Sequence, residues 1–445
     1  MSAALETSID GFDSYSETQI HRFLPDFIEF DGAPAPRVAE TVDETGVDAA
    51  LLIGLTLKLA ASVPNFTTEW SSNQLCLPMQ MVDEMCWRLK DDKFVEILGE
   101  NGPFSYRYAV TDRGREQARR LLEISGYVGP APVSLRSYAA MLQWQIMERP
   151  MPKAEDVRAA LEALVLPKEA LQVTELAVSS GRSLFLFGPP GNGKTSVARM
   201  LHNAIGGDLW IPYCLNLDGH AVRIFDPQCH QRVGNTGEGA GKVDGRWVKI
   251  RRPLIVAGGE MTIDSLDLSY SPSLRFYEAP LHVKANGGTF VIDDFGRQRV
   301  DPSELLNRWI IPLEHQIDHL TLQTGQKVEV PFKLMLVVAT NLQVSAVADP
   351  AFLRRMGYRV HLDKPTPQSY ALIFQRYAES VAVPASQELI SHVLNRYQAE
   401  NRELRCCEPR DLIERARDIC RLRDMELTID REVLDLAWTG YFGNF

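Results

Sequence analysis

Two different periods of hydrophobic residues follow one another in the first third of the chain. Met81, Met85 and Leu89 repeat at helical spacing, whereas residues 94–98 and 104–110 alternate between apolar and polar positions as strands do. A Glu-Asn-Gly-Pro turn separates the two alternating runs. The pattern predicts three helices, two strands in a hairpin and a fourth helix, at residues 47–61, 71–77, 77–93, 94–98, 104–110 and 112–124, with Asp112 as the cap of the fourth helix.

This order of elements resembles the winged-helix family, and the resemblance is carried by residues 89–115, "LKDDKFVEILGENGPFSYRYAVTDRGR". It implies an α+β domain over residues 48–125 that would ordinarily suggest DNA binding. Binding to a duplex relies on lysine and arginine. The third helix instead mixes both signs of charge, with Asp83, Glu84, Asp91 and Asp92 against Arg88, Lys90 and Lys93. We therefore favour docking to a protein over binding to DNA, and a spacer domain without its own partner remains open.

Two segments on either side of this domain differ from it in composition. Residues 1–47 have ten acidic and two basic side chains, a net charge of −8, and hold proline and glycine at 31–36. We expect a poorly ordered extension there. Residues 126–150 contain several glycines and prolines and then a short helical piece that ends near Pro150, and we interpret them as a linker. A second large unit then begins near Met151.

The overall composition is that of a globular protein and limits where the chain acts. Hydrophobic residues are 45% and charged residues 24% of the 445. The net charge is −11, and residues 48–128 carry eleven acidic against nine basic side chains (−2), so no long region marks a nucleic-acid surface. The longest apolar stretch, 49–63, is interrupted by Lys58 and is too short for a bilayer. Seven cysteines without framework spacing fit a reducing environment, and we expect a cytoplasmic protein without membrane insertion.

A phosphate-binding loop follows a short apolar strand at residues 183–187. The loop and the helix start after it are Gly188, Pro189, Pro190, Gly191, Asn192, Gly193, Lys194, Thr195 and Ser196. This matches G-x-x-x-x-G-K-[ST] in its strand–loop–helix context. Glycines let backbone N–H groups and the helix N-terminus face an anion. We expect Lys194 to bind the β- and γ-phosphates of ATP, and the hydroxyl of Thr195 to ligate Mg²⁺.

Two further apolar runs end in polar side chains that complete such a site. Residues 287–292 precede Asp293 and Asp294, and residues 334–339 precede Thr340 and Asn341. We expect Asp293 to hold Mg²⁺ through its water shell and Asp294 to act as the general base on the attacking water. The amide of Asn341 can donate to a γ-phosphate and accept from water.

Later arginines open two predicted helices. Arg354 and Arg355 follow Pro350 at a helix start, and Arg410 lies in the first turn of a helix that begins at Glu408. An isolated arginine is ordinarily a solvated surface residue. Their order relative to the two acids is what makes them candidates for the site.

This series of motifs resembles the AAA+ ATPase family over roughly residues 150–445. The resemblance implies a parallel α/β sheet at 151–362 with a helical lid at 363–445, and Mg²⁺-dependent ATP hydrolysis. It makes Asp294 the catalytic acid, Asn341 the first sensor, Arg355 or Arg354 the arginine finger, and Arg410 the second sensor. Active members form homo-oligomeric rings, often hexamers.

Asp294 departs from the family pattern, because this position usually holds glutamate. Aspartate is one methylene shorter, so its carboxylate lies about 1 Å further from the water, a displacement that can cost about a hundredfold in rate. Slow hydrolysis and a nucleotide-gated switch therefore remain open beside an active motor.

The branch of the family is indicated by an excess of sequence between the loop and the acids. Lys194 and Asp293 are 99 positions apart, and we place an insert at about 206–285. The segment "KANGGTFVIDDFGRQ", residues 284–298, resembles the helix-2-insert branch, which holds the MoxR-type chaperones and the activators of the alternative sigma factor. Those activators carry a Gly-Ala-Phe-Thr-Gly-Ala loop that this sequence lacks, which argues against transcription activation.

Two residue groups in the insert have more than one interpretation. Phe276 and Tyr277 either pack in a core or face a ring pore. Cys214, His220, Cys229 and His230 invite a metal site, but their spacing matches no zinc pattern, and ordinary insert residues are favoured.

Three functions remain open from the sequence. The first is an ATP-driven, chaperone-like motor that remodels or assembles a protein client. The second is an ATPase anchored to DNA by the winged helix. The third is a switch that hydrolyses ATP slowly. The charge on the third helix favours the first over the second, and Asp294 keeps the third open.

Overall fold

The computed structural model describes residues 22–100, 102, 105–149, 151–234, 240–344, 350–424 and 429–443. Over these ranges, no helix has the length and apolar character that crossing a membrane requires.

The N-terminal part combines a hairpin, four helices and a small antiparallel sheet. In chain order its elements are β1 (Phe27–Phe30), β2 (Ala33–Pro36), α1 (Ala49–Ala60), β3 (Asn65–Thr67), α2 (Thr68–Leu75), α3 (Met79–Asp91), β4 (Val95–Glu100), β5 (Tyr106–Val110) and α4 (Asp112–Ile124). β5 lies between β3 and β4. The four helices and the hairpin of β4 and β5 occur where the hydrophobic pattern predicts them. Residues 101, 103 and 104, in the predicted turn and strand start, lie outside the described residues.

Two details of this part differ from the sequence-based expectation. β3 was not predicted, because three residues are too few to show a period of two. The cap of α4 is Thr111 rather than Asp112, since the Thr111 hydroxyl accepts from the backbone N–H of Gly114 at 3.0 Å.

Residues 22–47 are packed against the rest of the chain, which corrects the prediction of a poorly ordered extension for this part. Phe30 and Ala35 are buried in one cluster with aromatic side chains of the insert. The buried guanidinium of Arg246 donates to the carbonyl of Thr45 at 3.2 Å. A charge count does not reveal the few apolar contacts that hold such a segment. Residues 1–21 lie outside the described residues.

Residues 126–149 are packed into the core, which corrects the prediction of a linker over 126–150. They contain β6 (Val133–Ser134), which joins a five-stranded mixed sheet, and α5 (Leu135–Glu148), whose middle is buried on all sides over residues 138–142. The amide of Gln145 donates to the carbonyl of Trp210 at 3.0 Å and accepts from its N–H at 2.6 Å. The glycines and prolines here mark turns between packed elements, and the sequence signal for a turn is the same as that for a linker.

The second large unit contains the remaining elements before the last helices. These are α6 (Ala154–Leu161), α7 (Lys168–Ser179), β7 (Leu184–Phe187), α8 (Lys194–Ile205), β8 (Asp208–Pro212), β9 (Cys214–Leu217), β10 (His220–Arg223), β11 (Trp247–Arg251), β12 (Leu254–Ala257), β13 (Ser269–Ser271), β14 (Phe276–Glu278), α9 (Leu281–Lys284), β15 (Thr289–Ile292), α10 (Pro302–Arg308), α11 (Ile310–His315), β16 (Ile317–Thr321), β17 (Lys327–Pro331), β18 (Met335–Thr340), α12 (Pro350–Arg355) and β19 (Tyr358–His361).

Five of these strands form a parallel sheet in the order β12-β15-β18-β7-β19, which confirms the predicted P-loop α/β fold. All three strands that the apolar runs predicted, β7, β15 and β18, are in it and are almost fully buried. β18 lies between the other two, with Thr340 paired to Phe187 and Val338 paired to Ile292. The carboxyl ends of the three strands therefore meet at one edge of the sheet.

The predicted insert at about 206–285 needs one correction. Its residues Leu254–Ala257 are β12, a strand of the central sheet that pairs in parallel with β15. The additional structure is therefore split into two segments, before and after β12. It forms a ribbon of β8 with β11 and a mixed sheet in the order β13-β14-β10-β9-β6. Strand character alone could not show which strand belonged to which sheet.

The insert and the N-terminal helices share a core. Phe276 is buried in the cluster of the N-terminal helices, where its ring lies 5.9 Å from that of Tyr127, and Cys214 is buried in the same cluster. Tyr277 is buried in the neighbouring cluster of the insert. Of the two interpretations of this aromatic pair, the structure shows core packing.

The chain ends in a helical bundle. It consists of α13 (Pro367–Ser380), α14 (Gln387–Ala399), α15 (Glu408–Leu422) and α16 (Arg431–Phe442). Tyr370, Tyr397 and Trp438 are at the centre of its buried cluster. The helical lid that the resemblance implied is present as these four helices, and the name "lid" is kept for them and for the connection at 400–407.

Candidate nucleotide-binding site

The phosphate loop connects β7 to α8 through backbone that only glycine adopts without strain. Gly193, directly before α8, has a φ of 85°. A Cβ on Gly188 would lie 2.2 Å from the carbonyl oxygen of Leu362, so a side chain at that position would collide with backbone. The sequence thus fixes both the curvature of the loop and its close approach to the end of β19.

The side chain of Lys194 folds back into the loop. Its Nζ donates to the carbonyl oxygens of Gly188 and Pro189, each at 2.8 Å, and the residue is only 7% exposed. Burial lowers the pKa of this amine, while Asp293 and Asp294 act in the opposite direction. The cation therefore lies inside the loop, where an anion bound by the backbone N–H groups would meet it.

Thr195 and Asp293 are brought into direct contact although they are far apart in sequence. The Thr195 hydroxyl, in the first turn of α8, donates to Asp293 Oδ2 at 2.8 Å. The backbone N–H of Asp293 donates to the carbonyl of Ala257 at 2.8 Å, which extends the pairing of β15 with β12. The two side chains that we expect at one Mg²⁺ site are thus in hydrogen-bond contact.

Asp294 is held in an unusual backbone conformation by its neighbours. Its φ is 49°, and its Oδ1 accepts from the Asn341 amide at 2.6 Å. The amide of Gln298 donates to the carbonyl of Asp293 at 3.0 Å and stabilises the turn that follows β15. Asn341 is expected here from its place after an apolar strand, whereas Gln298 is not, because its only sequence signal is a polar side chain shortly after the acids.

The chemistry at this edge fits a hard divalent cation. A hydroxyl and a carboxylate oxygen from Thr195 and Asp293 lie side by side, and Mg²⁺ prefers oxygen ligands while it keeps several waters. Within the described ranges, no group of three or more His, Cys, Asp or Glu side chains could hold a metal by itself. A cation here would therefore take its remaining ligands from phosphate and water.

The four insert residues that invited a metal site do not form one. Cys214 is buried in the N-terminal core, and the ring of His220 lies edge-on to Tyr277. His230 accepts from the backbone N–H of Asp226 at 3.0 Å, and Cys229 also contacts Asp226. Ordinary packing roles account for all four.

The candidate arginines make contacts within the chain. The Arg355 guanidinium donates to Glu314 at 3.0 Å, while Arg354 is exposed. Arg410 is also exposed, and it donates to its neighbour Asp411 at 3.1 Å.

The lid contacts the loop through backbone rather than through these arginines. The N–H of Cys407 donates to the carbonyl of Gly191 at 2.9 Å, and the N–H of Cys406 donates to Asn192 Oδ1 at 3.3 Å. The residue types along the chain do not predict this contact, because backbone donors carry no residue signature.

Comparison with known proteins gives limited similarity. A family model described as a domain of unknown function (DUF8689) matches residues 366–440, which are the helices of the lid. No curated protein sequence matches the chain.

Among solved structures, the chain is similar to RuvB of Thermotoga maritima, described as a Holliday junction branch migration motor. The identity is 17% over 66% of this chain and 73% of that chain, with a TM-score of 0.36. It is also similar to NtrX of Brucella abortus in complex with ATP, at 15% identity over 72% of this chain and 62% of that chain, with a TM-score of 0.39. These TM-scores are too low to support a conclusion about this chain. The fold assignment rests on the strand order and contacts described above.

Replacement of Lys194 by alanine is expected to abolish tight ATP binding. The buried cation is removed from the loop, and charge-assisted contacts are among the stronger ones. Titration calorimetry with ATP and Mg²⁺ measures the effect, and we expect the Kd to rise at least about a hundredfold. Lys168→Ala, at the exposed start of α7, is the matched control and should bind as wild type. If wild type and Lys194→Ala bind ATP with equal affinity, the loop is not part of the nucleotide-binding site.

Proposed function

We propose that the chain is an AAA+ ATPase that hydrolyses ATP to remodel or assemble a protein client. The observation that carries the proposal is the convergence of three strand ends. β7, β15 and β18 bring Lys194, Thr195, the two acids and Asn341 to one edge of the sheet, and hydrogen bonds join Thr195 to Asp293 and Asn341 to Asp294. This arrangement supports phosphoryl transfer, which needs an anion cradle, a cation site and a base in one place.

Binding of the nucleotide would use the loop and the start of α8. The loop N–H groups and the positive end of the helix dipole attract the phosphates. Lys194 Nζ would exchange its bonds to the loop carbonyls for phosphate oxygens. Thr195 and Asp293 would hold Mg²⁺, which neutralises charge on the β- and γ-phosphates.

Hydrolysis would depend on Asp294. Its Oδ1 accepts from Asn341, which leaves Oδ2 to take a proton from water as the water oxygen attacks the γ-phosphorus and ADP leaves. Asn341, next to the loop across the β7–β18 pairing, would position both the acid and the γ-phosphate. The short reach of aspartate supports a slow enzyme, so a nucleotide-gated switch stays as a variant of the same proposal.

The surface of the N-terminal helices supports a protein client rather than DNA. In the winged-helix resemblance, α3 has the place of the helix that would contact DNA. On α3, the indole of Trp87 donates to Asp83 at 3.2 Å, and the ammonium of Lys90 lies 4.2 Å from the centre of the Trp87 ring. Glu84, Arg88 and Asp91 are exposed on the same helix. This mixture of exposed charges of both signs suits a protein interface better than a phosphate backbone, which favours a basic surface. A DNA-associated ATPase is the second candidate, because the order of helices and strands in the N-terminal part resembles that of winged-helix domains.

A ring of subunits is proposed from the family resemblance, with Arg355 as the finger. Arg355 is held by Glu314 at the end of α11, whereas Arg354 beside it is exposed. The ion pair with Glu314 would either orient Arg355 toward the nucleotide of a neighbouring subunit, or hold it away from that nucleotide until the neighbouring subunit binds. Arg354 is therefore tested beside it.

Replacement of Asp294 by asparagine should retain ATP binding and abolish hydrolysis. Asparagine tolerates a positive φ and keeps the shape of the side chain, but it does not accept a proton from water. We expect kcat to fall at least about a hundredfold, with the Kd for ATP within about threefold. Coupled phosphate release and calorimetry measure the two quantities. Asp264→Asn, which changes an exposed aspartate, is the control, and equal turnover of Asp294→Asn and wild type would place the base elsewhere.

Replacement of Arg355 by alanine should leave ATP binding intact and lower hydrolysis by about a hundredfold or more, because an arginine finger stabilises charge on the transferred phosphoryl group. Arg354→Ala, made in parallel, identifies which arginine acts. Mixing Arg355→Ala with Lys194→Ala should restore part of the activity, since an intact loop then meets an intact finger of the neighbour. Activity per subunit that stays constant down to nanomolar protein, with no rescue in the mixture, would contradict action between subunits.

Duplex DNA should bind the 445-residue chain only weakly and without sequence preference. The N-terminal helices share a core with the insert, so the intact protein is the proper sample. Fluorescence anisotropy with labelled duplexes at about 50 and 150 mM salt measures binding, and electrostatic binding falls steeply between these concentrations. Submicromolar affinity that persists at the higher salt would favour the DNA-associated ATPase instead.

A further inference from the structure

Asn192 in the phosphate loop has an amide nitrogen without a partner. The residue is only 4% exposed, and its Nδ2 forms no hydrogen bond within the described chain. A buried donor left unpaired costs free energy, so its presence in a native site calls for a ligand that satisfies it. In a loop built to bind phosphate, an anionic oxygen is the acceptor that the surroundings favour.

The orientation of this amide is fixed by the lid. The N–H of Cys406 can only donate, so the Asn192 atom that faces it at 3.3 Å has to be Oδ1. The amide is planar, and its nitrogen points away from the oxygen. Contact with the lid therefore turns Nδ2 away from Cys406, and this buried nitrogen keeps its donor capacity unused.

The lid segment that makes this contact is itself held by a buried network. Glu408, 2% exposed, accepts from the backbone N–H of Arg405 at 3.0 Å and from the hydroxyl of Tyr397 at 2.6 Å. The Sγ of Cys407 lies 2.7 Å from the position of a Cβ on Gly191, so lid and loop are in close contact. The buried carboxylate of Glu408 thus connects the lid helices to the segment that contacts the loop.

We propose that Asn192 couples the lid to the phosphate site, with Oδ1 held by the backbone of Cys406 and Nδ2 donating to a phosphate oxygen of ATP. The inference rests on the proposed ATP binding and adds a residue that positions the nucleotide according to where the lid lies. Coupling of this kind is reciprocal, so ATP stabilises the docked lid by the same factor by which the docked lid strengthens ATP binding.

Replacement of Asn192 by aspartate separates the two contacts. Aspartate keeps an acceptor for the Cys406 N–H but places a negative oxygen where Nδ2 was. We expect the Kd for ATP to rise at least about tenfold, since a hydrogen bond to a charged group is lost and a repulsion replaces it. Asn203→Asp adds the same charge at an exposed position near the end of α8 and should change the Kd less than about twofold.

The lid contact is measured by alkylation of Cys407 with N-ethylmaleimide, located by peptide mass spectrometry. A Cys406→Ala background keeps the backbone N–H and leaves one thiol in the segment. In this background and without nucleotide, Cys407 of the Asn192→Asp variant should react as fast as Cys407 of the protein that keeps Asn192, because aspartate retains the acceptor for the N–H of residue 406. Cys407 of the Asn192→Ala variant should react faster, because that acceptor is lost. Saturating ATP should slow the reaction in the Asn192 protein and not in Asn192→Ala, whereas simple occlusion by ATP would protect both.

Either of two results overturns the inference: ATP binds Asn192→Asp as tightly as wild type, or saturating ATP protects Cys407 equally in Asn192→Ala. Thermal melting of both variants identifies any loss of fold before these measurements. Failure of wild type to bind ATP would instead overturn the proposed function, and the Lys194 titration detects that separately.

Discussion

The hydrogen bond between Thr195 and Asp293 is the interaction on which the rest of the site depends. It joins the helix after the phosphate loop to the end of β15, although β18 lies between β7 and β15 in the sheet. Asn341, at the end of the intervening β18, is thereby placed beside both the loop and Asp294. Because parallel strands bring their carboxyl ends to one edge, three apolar runs distant in sequence bring an ammonium, a hydroxyl, two carboxylates and an amide to one place.

The same chain surrounds this site with two different kinds of contact. Around the sheet, the insert and the N-terminal helices are joined by a shared apolar core that includes Phe276 and Cys214. Such a core resists relative movement, because separating its parts would expose buried apolar surface. The lid contacts the loop by backbone hydrogen bonds from Cys406 and Cys407, which can be exchanged at little cost. The molecule thus combines a body held by a shared apolar core with a lid that contacts the loop through these backbone hydrogen bonds.

The sequence predicted the parts of the site whose residue types are dictated by local chemistry. A loop that wraps an anion needs glycine where φ is positive, and a buried strand needs a continuous apolar run, so the loop, β15 and β18 could be located from residues 188–195, 287–294 and 334–341. The helices and hairpin of the N-terminal part followed from periodicity for the same reason. Gln298 and the contact of Cys406 with Asn192 left no such trace, since one is an ordinary polar residue and the other uses backbone.

By itself, then, the sequence determined the N-terminal helices and hairpin, the three apolar strands and the phosphate loop, because those outcomes depend on neighbours within a few residues. Tertiary structure alone decided that residues 22–47 and 126–149 belong to the packed body, that Leu254–Ala257 joins the central sheet, and that Phe276 lies in the N-terminal core. It also paired Arg355 with Glu314 and turned the Asn192 amide toward the lid. These outcomes depend on which surfaces meet across long separations in sequence, and a turn or an apolar side chain carries the same local signal whichever partner it finds.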